Sequence, residues 1–528
     1  MRLATLVRSL VTFGRTPEGN PQDRQALLPE PQRRPSGYRG IVAALLSSSF
    51  VSQCWFTKPA VAQPQAYCQF PKELSAEKDN LLKGSLKGNA DAQKRYKTLV
   101  KQHGDELRRC RSQTWPNTQA IWLRLYPCDI RAGTLDEIFD RIVNRGYNQV
   151  NLQVFGDSQV LLPVSDNPNP KIWPSVVRSP GSEKVDLLAQ AIQKGHERGL
   201  KVYAWMYTMN FGYLYGLQDD RKSSLARNGK GQTGALDILH DGPQAFIDPY
   251  SLQAKKDYYQ LVQKVVKRRP DGVLFDYIRY PKGYGSNSVV QKVQDLWIYG
   301  NAARQALYAR ALNNKGRALI EKFVSRGNIT TADIQAVDRQ YPQEGSPMWQ
   351  GRKAQPSEMQ ATLRSRQVSL QRDLLQLSLA HAVQGILDFF NVAMLPAQKQ
   401  QVNVGAVFFP EGNRDVGGLV RFDSRLQPWD LFPSNIELHP MAFSTCGNSS
   451  CIEQEVRRVI NRFPAGTKVT PVLAGVWGKT LNKHPSLETQ MAGIRRSAPQ
   501  LNSVSHFAFS WQNPEFESQR YSCPRERI

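Results

Sequence analysis

Short apolar segments alternate with amphipathic helical segments along residues 119–512, and this alternation restricts the possible fold more than any other feature. The strand candidates are QAIWLRLY (119–126), NQVNLQVFG (148–156), KVYAWMY (201–207), GVLFD (272–276), VNVGAVFF (402–409), NIELHPMAF (435–443), KVTPVLAGV (468–476) and VSHFAFSW (504–511). Strands alternating with helices in this number, over about 400 residues, predict a (β/α)8 TIM barrel, an α/β fold. A doubly wound open sheet is the alternative, but it usually has fewer strands and a glycine-rich phosphate-binding turn, which we do not find.

Two segments depart from the alternation. Residues 63–118 are basic and have helical spacing but little apolar content, which predicts a solvated helical appendage. Residues from about 286 to 367 read as helices with a loop and predict an insertion between the fourth and fifth strands. The insertion would be a lid or cleft wall, or a structural addition without a role at the site. We therefore predict a leader (1–62), the appendage, and a barrel (119–528) carrying the insertion.

The N-terminal residues have the features of an export signal. Seven arginines precede the apolar run Gly40–Phe56, and the segment Ala60–Gln63 offers an A-x-A cleavage site after Ala62. A retained membrane anchor is the alternative for this segment. The mature chain has no stretch of about 18 uninterrupted apolar residues, so we predict no integral membrane span in it. The sequence thus predicts an exported protein, either periplasmic or at the cell envelope and outside the cell.

Cysteine usage agrees with export. Apart from Cys54, the cysteines are Cys68, Cys110, Cys128, Cys446, Cys451 and Cys523. An even number in a secreted chain permits three disulfides. Cys446 and Cys451 are close enough to pair locally, and Cys68 and Cys110 bracket the helical segment of the appendage. Without a C-x-x-C or H-E-x-x-H pattern, we predict no metal site and no cofactor.

The formal net charge is +24, which should draw the chain to anionic polymers. For an exported protein these are polymers of the envelope or cell surface. We find no usual RNA- or DNA-binding motif, so we do not predict nucleic acid as a partner.

The segment DGVLFDYIRYP (271–281) ends a strand-like run in a carboxylate and an arginine. Side chains alternate along a strand, so Leu274 and Asp276 share one orientation and Phe275 has the other. In a (β/α)8 barrel the carboxyl ends of the strands surround the active cleft, which puts Asp276 at the mouth. Arg279 can reach back to Asp276 or to a substrate oxygen. A buried Asp–Arg ion pair that only ties the loop is the alternative.

This motif resembles the signature of the glycosyl-hydrolase-like family 10 of bacterial (β/α)8 barrels. KVDLLAQAIQKGHERGLKVYAWMYTMN (184–210) and FIDPYSLQAKKDYYQLVQKVVKRRP (246–270) resemble the segments that flank it in the family. The resemblance is clear over residues 119–282 and only architectural over residues 402–512. It implies an exported glycan-processing enzyme, with the peptidoglycan strands of bacterial cell walls as the expected substrate class.

Hydrolysis of a glycosidic bond ordinarily requires two carboxyl groups, one ionised and one protonated. We expect Asp276 to stay ionised beside Arg279 and to act as nucleophile or general base. Glu411, after the fifth strand, is the preferred acid because apolar surroundings would raise its pKa, and Asp157 after the second strand is its competitor. The alternatives are a solvated loop acid for Glu411 and a turn or helix cap for Asp157. We expect Asp248 to be the N-cap of the helix that follows it.

Sugars also need aromatic stacking surfaces and hydrogen-bond partners. The candidates at strand ends are Trp205, Tyr207, Asn210, Tyr277, Arg279, Tyr280, His439, Trp477, Trp511 and Gln512, with Arg124 on the first strand. Packing in the core or rim is the alternative for each residue, and an internal ion pair is the alternative for Arg124. The alternative for the whole protein is a non-catalytic glycan-binding barrel of the envelope.

Overall fold

The computed structural model describes residues 67–233, 244–415 and 422–521. The strands that form the ring are β1 (Thr118–Leu123), β2 (Gln149–Gly156), β3 (Lys201–Tyr207), β4 (Gly272–Asp276), β5 (Asn403–Phe408), β6 (Glu437–Ala442), β7 (Val472–Ala474) and β8 (Ser503–Phe507), and the short strand Gln159–Val160 pairs antiparallel with β2. Each strand of the ring pairs in parallel with its neighbour in the chain, and β1 also pairs in parallel with β8. Because Ala120 is opposite both Gln149 and Ser505, the ring of eight strands is closed. The predicted (β/α)8 barrel is confirmed.

Helices surround the ring and connect the strands. They are α1 (Lys72–Leu86), α2 (Ala90–Gln113), α3 (Thr134–Asn144), α4 (Leu187–His196), α5 (Tyr213–Leu217), α6 (Leu252–Val266), α7 (Asn301–Tyr308), α8 (Asn314–Arg326), α9 (Thr331–Gln340), α10 (Leu363–Lys399), α11 (Ser450–Ile460), α12 (Leu487–Ser497), α13 (Phe509–Gln512) and α14 (Pro514–Tyr521). Helix α3 shows how the apolar spacing in the sequence produces a packed helix, because Leu135, Ile138 and Ile142 lie on one buried face. Gly146 follows at φ +78°, and a Cβ there would lie 2.2 Å from the Tyr67 carbonyl oxygen.

Helices α7 to α10 form the connection between β4 and β5. Asp248 fixes this connection to the barrel, since its carboxylate accepts a hydrogen bond from the Ala303 N–H in the first turn of α7 (3.0 Å). The prediction that Asp248 caps the following helix is wrong. Ser251 is the N-cap of α6 and accepts a hydrogen bond from Ala254 N–H. The Asp248 side chain therefore caps α7, which lies further along the sequence than α6, the next helix.

Helix α10 is long and packs over α6 and β5. Among the described residues it is the one helix that is long and apolar enough to cross a membrane. Within the protein, 72% of its apolar window is buried, as is usual for a core helix.

The N-terminal pair α1 and α2 is joined to the barrel at several points. A disulfide connects Cys68 and Cys110, as expected from their positions on either side of the pair. The buried Arg111 side chain donates hydrogen bonds to the carbonyl oxygens of Tyr67, Pro116 and Gly146. The helical pair is thus bonded to the loops at the start of the barrel.

The second expected disulfide, between Cys446 and Cys451, is present, and Cys128 is also disulfide-bonded. The predicted export signal, Cys54 and Cys523 lie outside the described residues.

Strand β8 is shorter than predicted. It ends at Phe507, and Trp511 lies in the short helix α13, where its N–H donates to the Ala508 carbonyl oxygen (3.0 Å). The apolar run VSHFAFSW has no periodicity that separates a buried strand from a helical turn. Strand β7 is likewise restricted to Val472–Ala474.

Candidate active site

Asp276 is the last residue of β4 and lies at the carboxyl end of the barrel. Its residue exposure is 5%, and both carboxylate oxygens accept hydrogen bonds. Oδ1 accepts from the Tyr277 N–H (2.6 Å) and Oδ2 accepts from the Trp205 indole N–H (3.1 Å). Burial raises the pKa of Asp276 to about 6, although the two donors and Arg279 act in the opposite direction. Asp276 can therefore exchange a proton near neutral pH.

Arg279 does not form an ion pair with Asp276, which was the alternative to a role at the cleft. Its Nη1 donates to the Tyr280 carbonyl oxygen (3.0 Å), and its guanidinium carbon lies 4.5 Å from the centroid of the Tyr277 ring. Burial lowers the pKa of Arg279. Desolvation of the carboxylate raises the Asp276 pKa by more than Arg279, which we expected to keep Asp276 ionised, lowers it.

Tyr207 and Tyr277 form an aromatic pair beside Asp276, with ring centroids 4.2 Å apart. Tyr277 has φ +55°, which turns the chain directly after the strand. Burial raises the pKa of both phenols, and the charges of Asp276 and Asp157 raise them further. Both carboxylates therefore lie close enough to the tyrosine pair to act on it.

Asp157 is exposed and lies in a two-residue turn with Ser158. The two residues have φ +49° and φ +64°, and they connect the paired residues Gly156 and Gln159. Positive φ at both central positions is the geometry of a type I′ hairpin turn. Asp157 is thus both a turn residue and a carboxylate at the mouth of the barrel.

Arg124 lies over Trp205, with its guanidinium carbon 5.8 Å from the ring centroid. The Arg124 side chain is exposed but its guanidinium group is partly desolvated, which would lower its pKa; Tyr207 and Asp157 more than offset this effect, so the pKa is raised. The mouth therefore contains Arg124, which follows β1, and Trp205 and Tyr207 of β3, together with Asp157 and Asp276.

Glu411 has different surroundings from those we expected. One of its carboxylate oxygens accepts a hydrogen bond from Arg425 (3.2 Å), and Arg425 also pairs with Asp423. The Phe409 ring lies against both arginines, with the Arg425 guanidinium carbon 4.9 Å and that of Arg279 5.9 Å from the ring centroid. The expected apolar environment of Glu411 is contradicted, since a guanidinium group contacts it directly.

Two further candidates are buried away from the mouth. Tyr280 is 0% exposed and donates its hydroxyl to the Ala382 carbonyl oxygen in α10 (3.3 Å), so it packs against the helix layer. His439 is also 0% exposed, and its Nε2 lies 3.5 Å from a Glu437 carboxylate oxygen at the start of β6. These contacts contradict the prediction that Tyr280 and His439 bind substrate.

Trp477 and Gln512 lie on the flank of the barrel. Trp477 donates its indole N–H to the Tyr147 hydroxyl (3.1 Å) and packs against His506. Ser505 accepts from Trp122, whose ring packs on Trp205, so Ser505 points inward and its neighbour His506 points outward.

Gln512 donates to the Gly475 carbonyl oxygen (3.0 Å) and accepts from Arg145. Trp511 lies between the mouth and the flank, since it packs against Phe507 and lines the same groove as Trp477. The prediction that Trp477 and Gln512 lie at the mouth is wrong.

Two aromatic residues next to the site were not predicted from the sequence. Phe409 directly follows β5, and the rule that strand ends surround the cleft would have found it. Phe246 lies 5.8 Å from the Arg279 guanidinium carbon and comes from the long loop after β3, where the sequence gives no such signal. It pairs with Asn210, which is buried and accepts a hydrogen bond from Gly212 N–H (3.2 Å). Asn210 therefore supports the shape of this loop.

The side chains at the mouth that can react with or bind a ligand are carboxylates, guanidinium groups and aromatic rings. In the described parts of the chain, no group of three or more His, Cys, Asp or Glu residues is arranged to hold a metal ion. The arrangement can exchange a proton at Asp276 and can pack a sugar face against aromatic rings.

Residues 128–326 match the Glycosyl hydrolase-like 10 family. The resemblance drawn from the sequence motif is confirmed over this segment, and the match supports a glycosidase-like function. The glycosyl hydrolase-like segment includes Asp157, Trp205, Tyr207, Asp276 and Arg279, whereas Glu411 lies outside it.

Solved glycoside hydrolases show distant similarity. The PgaB (BpsB) glycoside hydrolase domain from Bordetella bronchiseptica has 13% identity over 76% of this chain and 98% of that chain, with a TM-score of 0.43. A GH18 chitinase from Pseudoalteromonas aurantia has 10% identity over 76% and 99% of the chains, with a TM-score of 0.34. The GH20 beta-N-acetylhexosaminidase from Streptomyces coelicolor A3(2) has 9% identity over 76% and 60%, with a TM-score of 0.33. No curated protein sequence matches the chain.

Proposed function

We propose that this protein is an exported glycoside hydrolase that cleaves glycan strands of the bacterial cell wall, with Asp276 as the proton-transferring carboxyl group. The observation that carries the proposal is the position of Asp276 at the carboxyl end of β4, within the segment that matches the glycosyl hydrolase-like family, and burial raises its pKa to about 6. A carboxyl group with a pKa close to the working pH is suited to general acid–base catalysis. The disulfides fit an exported protein, and the net charge of +24 fits an anionic polymer as substrate.

Asp157 is proposed as the second carboxylate in place of Glu411. Asp157 and Asp276 act on the same tyrosine pair, while Glu411 is held by Arg425. Protonated Asp276 would donate its proton to the glycosidic oxygen as the bond to the anomeric carbon breaks. Asp157 would then either remove a proton from the attacking water or bond to the anomeric carbon before water replaces it.

The other groups at the mouth would bind the sugar. Trp205 and Tyr207 are largely buried. Trp205 holds Asp276 by a hydrogen bond and Tyr207 packs on Tyr277, while the partly exposed Tyr277 offers a ring for a pyranose face. Arg124 is exposed and would contact an anionic or carbonyl oxygen of the glycan. Arg279 would act from beneath Tyr277 by holding its ring.

A non-catalytic glycan-binding barrel is the second candidate. The observation that favours it is the low exposure of Asp276, because a reacting carboxyl group must reach the glycosidic oxygen. Such a protein would keep the aromatic mouth and the positive charge but would release no product.

The test is incubation of the full-length protein with intact peptidoglycan, with peptide-free glycan strands and with chitin. New reducing ends are measured for the wild type and for Asp276→Asn. We expect release from peptide-free strands by the wild type and almost none by the variant. Equal release by both proteins would contradict the role of Asp276, and binding without release by either would favour the glycan-binding barrel.

A further inference from the structure

A groove of about 690 Å³ lies on the flank of the barrel, where the N-terminal helical pair meets α3 and the loops after β7 and β8. None of the functions above uses it. Its wall includes Lys72, Arg141, Arg145, Trp477, Lys479 and Trp511. We call it the flank groove.

The two tryptophans of the flank groove are partly exposed and held in place. The Trp477 indole donates its N–H to Tyr147, and its ring lies 5.1 Å from Tyr67 and 5.3 Å from His506 between centroids. Trp511 packs on Phe507 at 5.8 Å. Rings fixed in advance lose little conformational entropy when a ligand packs on them. Their faces suit the C–H surface of a sugar ring.

The charge of the flank groove is positive. Its wall has four cationic side chains and a single acid, Asp79. Arg141 is already paired with Glu137 (2.6 Å). Arg145 is half-buried, and the partner of its Nη1 is the neutral side chain of Gln512 (3.3 Å). Burial lowers the pKa of Arg145, with Arg141 adding to the effect. A carboxylate bound here would give Arg145 a charged hydrogen-bond partner.

We propose that the flank groove is a second glycan-binding site, separate from the mouth of the barrel, for a saccharide that carries carboxylate groups. The proposal rests on the proposed function only in taking a glycan as the ligand. Bound there, one part of a strand would keep the protein on the polymer while another part enters the mouth. Sites linked in this way raise the effective concentration of the substrate.

The test measures binding in the Asp276→Asn background, so that no turnover interferes. The probe is a peptide-free peptidoglycan oligosaccharide, whose lactyl groups carry carboxylates. The matched probe is the same oligosaccharide after reduction of the carboxylates to alcohols. Dissociation constants are measured by calorimetry at low and at physiological salt.

We expect Arg145→Gln to weaken binding of the carboxylated probe on the order of tenfold, the size of one charged hydrogen bond, without affecting the reduced probe. Trp477→Ala should weaken binding of both probes. Lys97→Gln removes one charge from the exposed surface of α2, outside the flank groove, and is the matched control. It should bind like its parent.

Trp477→Ala also removes packing, so the folding of this variant is checked by thermal denaturation. The two charge variants, Arg145→Gln and Lys479→Gln, test the proposal even if Trp477→Ala does not fold. Unchanged affinity of both charge variants for the carboxylated probe would overturn the proposal. Complete loss of binding in Arg124→Ala, at the mouth, would overturn it too. Absence of hydrolysis by the wild type would refute the proposed function alone, because binding at the flank groove is measured without turnover.

Discussion

Two buried carboxylates at opposite ends of the same barrel have pKa values that are shifted in opposite directions. Asp276 ends β4 and has a pKa raised by burial to about 6. Glu437 begins β6, and although burial would raise its pKa, His439 and Lys468 lower it to about 2. Strand β3 serves both ends, since Trp205 donates to Asp276 (3.1 Å) and Tyr203 donates to Glu437 (2.9 Å).

The comparison shows how burial changes the pKa of a carboxyl group when a cationic partner is absent and when one is present. Glu437 contacts Lys468 directly, so its charge stabilises the folded state. Asp276 accepts only neutral hydrogen bonds, so its charged form is held in place but is poorly solvated. In a (β/α)8 barrel the carboxyl end of the strands is the catalytic face and the amino end serves stability. The two environments follow this division.

The largest expected effect separates the two carboxylates by activity. Asp276→Asn should lower glycan hydrolysis about 10³-fold, because it removes the proton-transferring group. Glu437→Gln should leave hydrolysis within about twofold of the wild type, since it touches only the amino end. Initial rates of reducing-end release on peptide-free strands measure both. A comparable loss in the two variants would mean that the loss reflects folding and not chemistry.

The second prediction concerns the partner of Asp276. Asp157→Asn should lower the hydrolysis rate about 10²-fold, while Glu411→Gln should change it by less than about threefold. The reason is that Asp157 acts on the tyrosine pair beside Asp276, whereas Glu411 pairs with Arg425. The same assay compares the two variants, and the reverse order of effects would return Glu411 to the role of second carboxyl group.

The third prediction is that the two carboxylates give stability opposite pH dependences. The pKa of Asp276 is raised on folding, so its charge costs stability on the order of 3 kcal/mol, fully present above about pH 6 and relieved as pH falls to 3.8. The pKa of Glu437 is lowered, so its stabilising contribution, on the order of 3 kcal/mol, is present above about pH 4.5 and lost as the pH falls toward 2.

Urea denaturation of the wild type, Asp276→Asn and Glu437→Gln between pH 2 and 8 measures these contributions. The difference between wild type and Asp276→Asn should change between pH 4 and 6. The difference between wild type and Glu437→Gln should change below pH 4.5. Parallel profiles for all three proteins would contradict both assignments.

The smallest expected effect tests the neutral donors. Trp205→Phe removes a hydrogen bond that favours charged Asp276, so its pKa should rise by about half a unit to one unit. If protonated Asp276 is the acid, the activity of the wild type falls as the pH rises through about 6. This descending limb of the pH profile should shift to higher pH in the variant. Tyr203→Phe removes the corresponding donor from Glu437 and should leave the limb in place. Profiles of kcat/KM against pH test the pair.

Much of the barrel could be predicted from the sequence, because strand and helix periodicities are local properties. The predicted ends of β3 and β4 agree with the structure, and those of β1, β2, β5 and β6 are within a few residues. The errors fall where the apolar pattern is continuous, as in VSHFAFSW, since a run without periodicity does not distinguish a strand from a helical turn.

The candidate site was predicted less completely. The position of Asp276 follows from side-chain alternation along β4. The direction of chains after a strand end does not follow from sequence, which is why Trp477 and Gln512 were assigned to the mouth although they line the flank groove. Phe246 was missed because a loop far from β4 in sequence brings it there.

The sequence by itself determined the order of strands and helices and the presence of an acid at the end of β4. These depend on neighbours within a few positions. Only the tertiary structure decided that Asp276 lacks a cationic partner, that Glu411 has one, and that Asp157 lies near the same tyrosines as Asp276. Solvation and charge at each carboxylate depend on side chains that are distant in sequence, and folding alone brings these together.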